Sequence, residues 1–201
     1  MRIFVFCLMF VTAASVFSQT TPAVRKVVAD ERYVISYQVT AKDVIFTMDD
    51  LRARELRGAT GQEMPFSFFG IYVDVDRNGQ VDARKDVEYG LMKNKISICT
   101  QYLLDANAST ACGGFVSGAF YEKSSRLTDN APFAHIVHRF SIPRSEITTG
   151  GQKEINVVFH CVTEGDKFWA PSAFYPARDD TAAGSISFSK TIAINLLGVD
   201  L

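Results

Sequence analysis

The chain has 201 residues, of which 47% are hydrophobic and 21% charged, and its formal net charge is −1 at pH 7. That near-neutral balance leaves no basic stripe to follow a nucleic acid and no polybasic run to hold an anionic lipid. The length fits one ordinary domain.

The first predicted element is an export signal. Met1-Arg2 gives a positive start, Ile3 to Val11 form a short apolar run, and Thr12 to Ser18 are mostly small. Val16 and Ser18 suit the positions three and one before a cut after Ser18 or Gln19. The expected organisation is therefore a signal peptide over 1–19 and a single domain over 20–201. The apolar run falls short of the roughly 20 residues that span a bilayer, and no later segment is longer and as apolar. The product is expected to be secreted, periplasmic or extracellular, without membrane insertion. Removing Arg2 from 21 basic residues leaves 20 against 22 acidic ones.

Beyond the signal, alternation with period two dominates. Tyr33 to Thr40 and Asp43 to Met48 read as a strand pair around a short polar turn. Asp49 to Glu63 carries charges and two glycines and reads as a loop, with one helical turn over Asp50 to Leu56. Phe66 to Val73 is an apolar, buried strand. Further strands are predicted at Val87–Met92, Ile96–Leu104, Phe115–Tyr121, Ala134–Ile142, Ile155–Thr163 and Ser185–Ser189, with Thr191–Leu197 as an extension or edge. Pro143 stops one of them, and a helical turn starts near Ser145. No amphipathic helix is long enough to cover a sheet. Strands this regular with polar turns predict an all-β fold, an antiparallel two-sheet β-sandwich of jelly-roll or immunoglobulin-like type.

The segment joining Phe66–Val73 to Val87–Met92 carries the one pattern with clear chemistry. Asp74, Asp76, Asn78, Gln80 and Asp82 fall on alternate residues around Gly79. Alternate side chains can converge on a hard cation, and glycine permits the bend. Asp74, Asp76 and Asn78 match the first three ligand positions of an EF-hand calcium loop, Gln80 offers its carbonyl, and Asp82 takes the ninth place. Lys85 stands where a bidentate glutamate belongs, so Asp86, one residue later, is the candidate to complete the shell. Strands flank the loop, which argues against a helix-loop-helix unit. The plain alternative is a type I′ turn centred on Asn78-Gly79 with no metal. It does not account for three acids on one alternating set, whose like charges repel. Calcium is the expected ion, and magnesium fits less well because it keeps its waters.

Cys99, Cys112 and Cys161 remain after export, which makes disulfides permissible. Cys99 and Cys112 flank a predicted hairpin loop and are the preferred pair, with other pairings open. Cys161 reads as a small buried hydrophobe. Asn107-Ala108-Ser109 is a glycosylation sequon in a eukaryotic secretory pathway.

Candidate catalysts are few. His135 and His138 lie three apart on a strand, so they point to opposite faces and do not share one ion. Adding His160 gives no compact zinc spacing. Ser117-Gly118 is not a nucleophile elbow, and Cys112-Gly113-Gly114 is better explained by a disulfide. No acid and base pair has a recognisable role. Trp169, with Phe168 and Tyr175, lies in an aromatic, proline-bearing loop. Exposed rings stack on sugars, while the plain alternative is a ring plugging one end of the sandwich.

Several steps in order resemble a family. Ile71 to Asp76, Phe140 to Ile147, and Glu154 to His160 followed by Trp169 and Gly184 to Phe188 are similar to motifs of DOMON-like domains and family-nine carbohydrate-binding modules. The resemblance covers about residues 30 to 190. It implies a secreted antiparallel sandwich that binds sugar, haem or nothing small. Sugar-binding members hold their ligand between two aromatic residues, and no second tryptophan is matched here; no haem ligand pair is evident. The expectation is a calcium-stabilised, non-enzymatic binding module with glycan as first ligand. One alternative is a structural or protein-interaction domain, and another is a hydrolase with an unrecognised carboxylate pair.

Overall fold

The computed structural model describes residues 22–54, 67–80, 87–92, 95–99, 114–115, 118–148, 151–163, 174–177 and 187–197. The predicted signal peptide, Asp82, Asp86, Asn107, Cys112, Phe168 and Trp169 lie outside them.

Twelve strands and one short helix are described: β1 Val24–Ala29, β2 Tyr33–Val39, β3 Asp43–Arg54, β4 Ser67–Asp74, β5 Val87–Met92, β6 Lys95–Cys99, β7 Gly114–Phe115, β8 Phe120–Thr128, β9 Ala131–Pro143, α1 Arg144–Ile147, β10 Glu154–Thr163, β11 Phe174–Tyr175 and β12 Ile192–Asn195. They form two antiparallel sheets. One has the order β1-β2-β3-β9-β8, and the other runs β11-β10-β4-β5-β6-β7 with β12 also on β10. The chain is an all-β, two-sheet sandwich.

Alternation builds the interior. Tyr33, Ile35, Tyr37 and Val39 of β2 and Val44, Phe46 and Met48 of β3 face Phe69, Ile71 and Val73 of β4 and Ile155, Val157, Phe159 and Cys161 of β10. Phe69 stacks on Phe159 at 5.7 Å between ring centres, and Phe46 meets Phe159 edge-on at 5.8 Å. β4 and β10 are buried on both faces, because Tyr72, Val158, Phe174 and Phe188 form a second cluster behind their sheet. That is why both read as continuous apolar runs rather than alternating ones. Cys161 is fully buried, as its apolar strand predicts, and burial pushes its thiol pKa up.

Two expectations need correction, and one strand has no counterpart among the predicted elements. The loop with a helical turn at Asp50 to Leu56 is instead strand as far as Arg54. Asp50 pairs with Tyr33 on one side and Ile136 on the other, and a bulge then separates it from the Arg54–His135 pair. The predicted strand Phe115–Tyr121 is broken at Gly118, whose φ of 77° turns the chain from one sheet to the other. β1, which pairs with β2 at the sheet edge, carries too many exposed and charged residues to show as a strand in sequence.

The sandwich has two distinct ends. At one end β4 finishes at Asp74, opposite Asn156 near the start of β10, and α1 follows β9. At the other end β3 finishes at Arg54, while Ser67 opens β4 opposite Thr163, the last residue of β10. Ser67 and Asp74 are seven residues apart on β4, about 24 Å at the rise of a strand.

Candidate functional site

The acidic loop closes the first end. Its chain reverses at two left-handed positions, Arg77 with φ 59° and Gly79 with φ 74°. A type I′ turn would need Asn78 and Gly79 instead, so the plain hairpin alternative does not describe this loop. Local hydrogen bonds turn the side chains inward. Asp74 Oδ1 accepts the backbone N–H of Asn78 at 3.2 Å, and its Oδ2 accepts that of Gly79 at 3.0 Å. Asp76 accepts both the backbone N–H and the side-chain amide of Asn78. Asn78 Oδ1 in turn accepts the N–H of Gln80 at 2.7 Å. Asp74 itself is fully buried. The loop is fixed to the sheet by Gln152, whose amide donates to the Val75 carbonyl at 2.7 Å, and by an Arg77–Glu154 ion pair. Of the predicted ligands the structure brings together Asp74, Asp76, Asn78 and the Gln80 backbone. No group of three or more metal-binding His, Cys, Asp or Glu side chains occurs among the described residues.

The second end is polar inside, which the sequence reading missed. Asp50 is fully buried, and its Oδ2 accepts the hydroxyls of Ser67 at 2.6 Å and Thr163 at 2.7 Å. Its Oδ1 accepts the backbone N–H groups of Arg52 and Ala53, each at 3.2 Å. Asp50 accepts all four of these bonds, so the direction of the whole network follows. Ser67 gives its proton to Asp50 and therefore accepts from His138 Nε2 at 2.8 Å. His138 Nδ1 then accepts the Tyr121 hydroxyl at 2.9 Å. On the other branch Thr163 accepts from Tyr33 at 2.9 Å, and Tyr33 accepts from Arg52 Nη2 at 3.2 Å. Two chains of donors, each starting in the five-stranded sheet and passing through one hydroxyl of the other, converge on one carboxylate.

Burial shapes the titration of these groups. It holds His138 down at about 3, with the neighbouring Lys123 charge adding to the effect, so the ring is neutral at pH 7. It raises Tyr33 to about 12, against the opposing hydrogen bond with Thr163, and raises Tyr121 further. Burial also lowers Lys123, against the attraction of Asp50. The Ser67–His138 contact runs opposite to a nucleophile and its base, because the imidazole donates to the hydroxyl rather than accepting from it.

The two histidines of β9 do point to opposite faces, as their spacing predicts. His138 enters the interior, while His135 lies behind the sheet with Asp49. His135 Nδ1 donates to the Phe133 carbonyl at 2.9 Å, and its Nε2 stands 3.4 Å from Asp49 Oδ2. Thr128 and the Asn130 side chain donate to the same oxygen. The adjacent acids Asp49 and Asp50 thus lie on opposite faces of the β3–β9 pair, Asp49 beside His135 and Asp50 linked to His138 through Ser67. The third histidine, His160, is buried and stacks on Phe174 with ring centres 4.3 Å apart.

Tyr175, the one described member of the predicted aromatic set, is engaged in the fold. Its hydroxyl donates to Asp30 at 2.6 Å, and its ring meets Tyr33 edge-on at 6.0 Å. Burial works against ionised Asp30, but hydrogen bonds from Tyr175 and from the Tyr33 and Arg32 backbone hold its carboxyl below the usual range. Cys99 lies in β6, where its backbone pairs with Glu88. No family model matches the chain, and no curated protein matches it either.

Proposed function

We propose that the protein is an exported, non-enzymatic β-sandwich binding module, braced by calcium at Asp74 to Asp86 and taking a glycan as its ligand. The observation that carries the reading is the acidic loop. Asp74, Asp76 and Asn78 are already drawn into one turn, with Arg77 and Gly79 in the left-handed conformations that this turn requires. Clustering carboxylates there is unfavourable without a cation and favourable with one. Asp82 and Asp86 supply the remaining acidic ligands in this reading. The ion ties the end of β4 to the chain that returns as β5. The motif order that resembles DOMON-like domains and family-nine carbohydrate-binding modules supports the glycan, as does Trp169 in the segment between β10 and β11. The reversed Ser67–His138 hydrogen bond supports a non-enzymatic role.

One observation favours a second reading, a structural or protein-interaction domain. Tyr175 is committed to Asp30 and Tyr33, which leaves Phe168 and Trp169 as the rings for a sugar. A polysaccharide pull-down in calcium separates the two. The glycan reading expects retention that Trp169→Ala weakens about tenfold, the loss of roughly 1.4 kcal/mol of ring stacking. Equal retention of the variant, or no retention with a copurifying protein, favours the second reading.

A further inference from the structure

The buried network at the second end has a property that neither the loop nor the glycan reading uses. All its hydrogen bonds run toward Asp50, and His138, Ser67, Tyr33 and Thr163 each sit between two partners. We propose that the chain Tyr121–His138–Ser67–Asp50–Thr163 is an acid-sensitive latch between the two sheets, which opens this end of the sandwich when a proton is taken up at His138 Nδ1.

The geometry supplies the mechanism. Asp50 and His138 come from one sheet, Ser67 and Thr163 from the other, so the network joins the sheets by hydrogen bonds, whereas the cluster around Phe46, Phe69 and Phe159 joins them by apolar contact. His138 Nε2 already donates to Ser67, which leaves Nδ1 as the ring's acceptor. A proton arriving from solvent at Nδ1 makes the ring a double donor. Tyr121 must then turn from donor to acceptor, and its phenolic proton loses the buried partner it had. The new imidazolium also has to be accommodated without water, because His138 is 2% exposed.

The groups around His138 do not relieve that charge. On β8, Lys123 pairs directly across from it and repels it, and Tyr121 touches Nδ1. On β3, Met48 is its cross-strand neighbour and Asp50 lies one hydrogen bond further, behind Ser67. On β4 it meets Ser67 and the Phe69 ring, 6.4 Å between centres. On β10, beyond Phe69, stands Cys161, a buried thiol kept neutral. Tyr33 of β2 is reached only through Thr163. Asp50 is the single carboxyl group of this set, and four donors already occupy it.

The sign of the pH effect follows. His138 titrates at about 3 in the fold against 6.5 when unfolded, so the unfolded or opened state binds more protons in that window. Stability is whole above the unfolded value and declines as pH falls from 6.5 toward 3. The test is residue-resolved hydrogen exchange on the full chain across that range, with NMR of the His138 ring in parallel. The latch expects the ring to keep its Nε2–H tautomer well below 6.5. It also expects protection near Ser67, His138 and Thr163 to fall roughly tenfold further than protection near Val44, Ile142 and Ile155 as pH drops. His138→Gln cannot take the proton and should abolish that difference. Where this variant does not fold, the wild-type data decide alone. Equal loss at both ends, or protonation of His138 near 6.5 with protection unchanged, overturns the proposal.

Discussion

Replacing Asp50 by alanine should remove about 3–5 kcal/mol of stability, as breaking a buried charged network does. In a domain of this size that lowers the melting midpoint by roughly 10 °C or more. The reason is the number of groups that depend on one carboxylate. Ser67, Thr163 and the backbone N–H of Ala53 donate to it from buried positions, and the backbone N–H of Arg52 from a part-buried one. Alanine leaves the three buried donors facing a void too dry to solvate them. Asp50→Asn should lose about half as much, because hydroxyls rotate and one amide oxygen still accepts. The change is larger than for Ser67→Ala alone, which removes one donor and leaves the carboxylate three others. Urea unfolding of the three variants checks the order. A loss below about 1 kcal/mol for Asp50→Ala would mean that the carboxylate is solvated.

Phe159→Ala should cost a similar amount, about 3–5 kcal/mol, through a different mechanism. Phe159 is fully buried at the middle of β10, stacked on Phe69 and edge-on to Phe46 of the facing sheet. Its removal opens a cavity between two sheets, whose backbones are held by ladders on both sides and close in little. Phe159→Leu refills most of the space and should cost about 1–1.5 kcal/mol. The same urea midpoints read the result, and a cost for alanine no larger than for leucine would place the ring outside the interface between sheets.

The two substitutions differ in how far the sequence announces them. Phe159 sits in Ile155 to Thr163, a β-branched and aromatic run that is legible because each residue declares its own burial. The β2–β3 pair is legible in the same way, through the alternation of Tyr33, Ile35, Tyr37 and Val39 with Val44, Phe46 and Met48. The opposite facing of His135 and His138 follows from strand parity alone. Asp50 is the reverse case. In sequence it opens a charged stretch, and its partners Ser67 and Thr163 lie 17 and 113 residues away. Nothing local says that an acid there is buried, so the stretch reads as a loop with a helical turn. The edge strands β1 and β8 are hidden for a related reason. Among the described residues each has a strand partner on one side only, and residues such as Arg25, Lys26, Glu122 and Arg126 carry charge where a central strand would be apolar. The acidic loop is the one functional candidate that was legible, because Asp74, Asp76, Asn78 and Gly79 interact with near neighbours.

The two ends of the sandwich are far enough apart to act independently, which makes their tests separable. The latch predicts effects that depend on pH and centre on His138. The loop predicts effects that depend on the cation and centre on Asp74. An Asp74→Asn variant should keep the acid response of the second end, and His138→Gln should keep the response to calcium.

The calcium account is tested most directly by thermal melting of the chelator-treated protein with and without excess calcium. Ligand that binds only the folded state at about a hundred times its dissociation constant adds about 2.7 kcal/mol. The predicted result is a midpoint roughly 5–10 °C higher in calcium, with the increase lost in Asp74→Asn. The same midpoint with calcium and with chelator would contradict it.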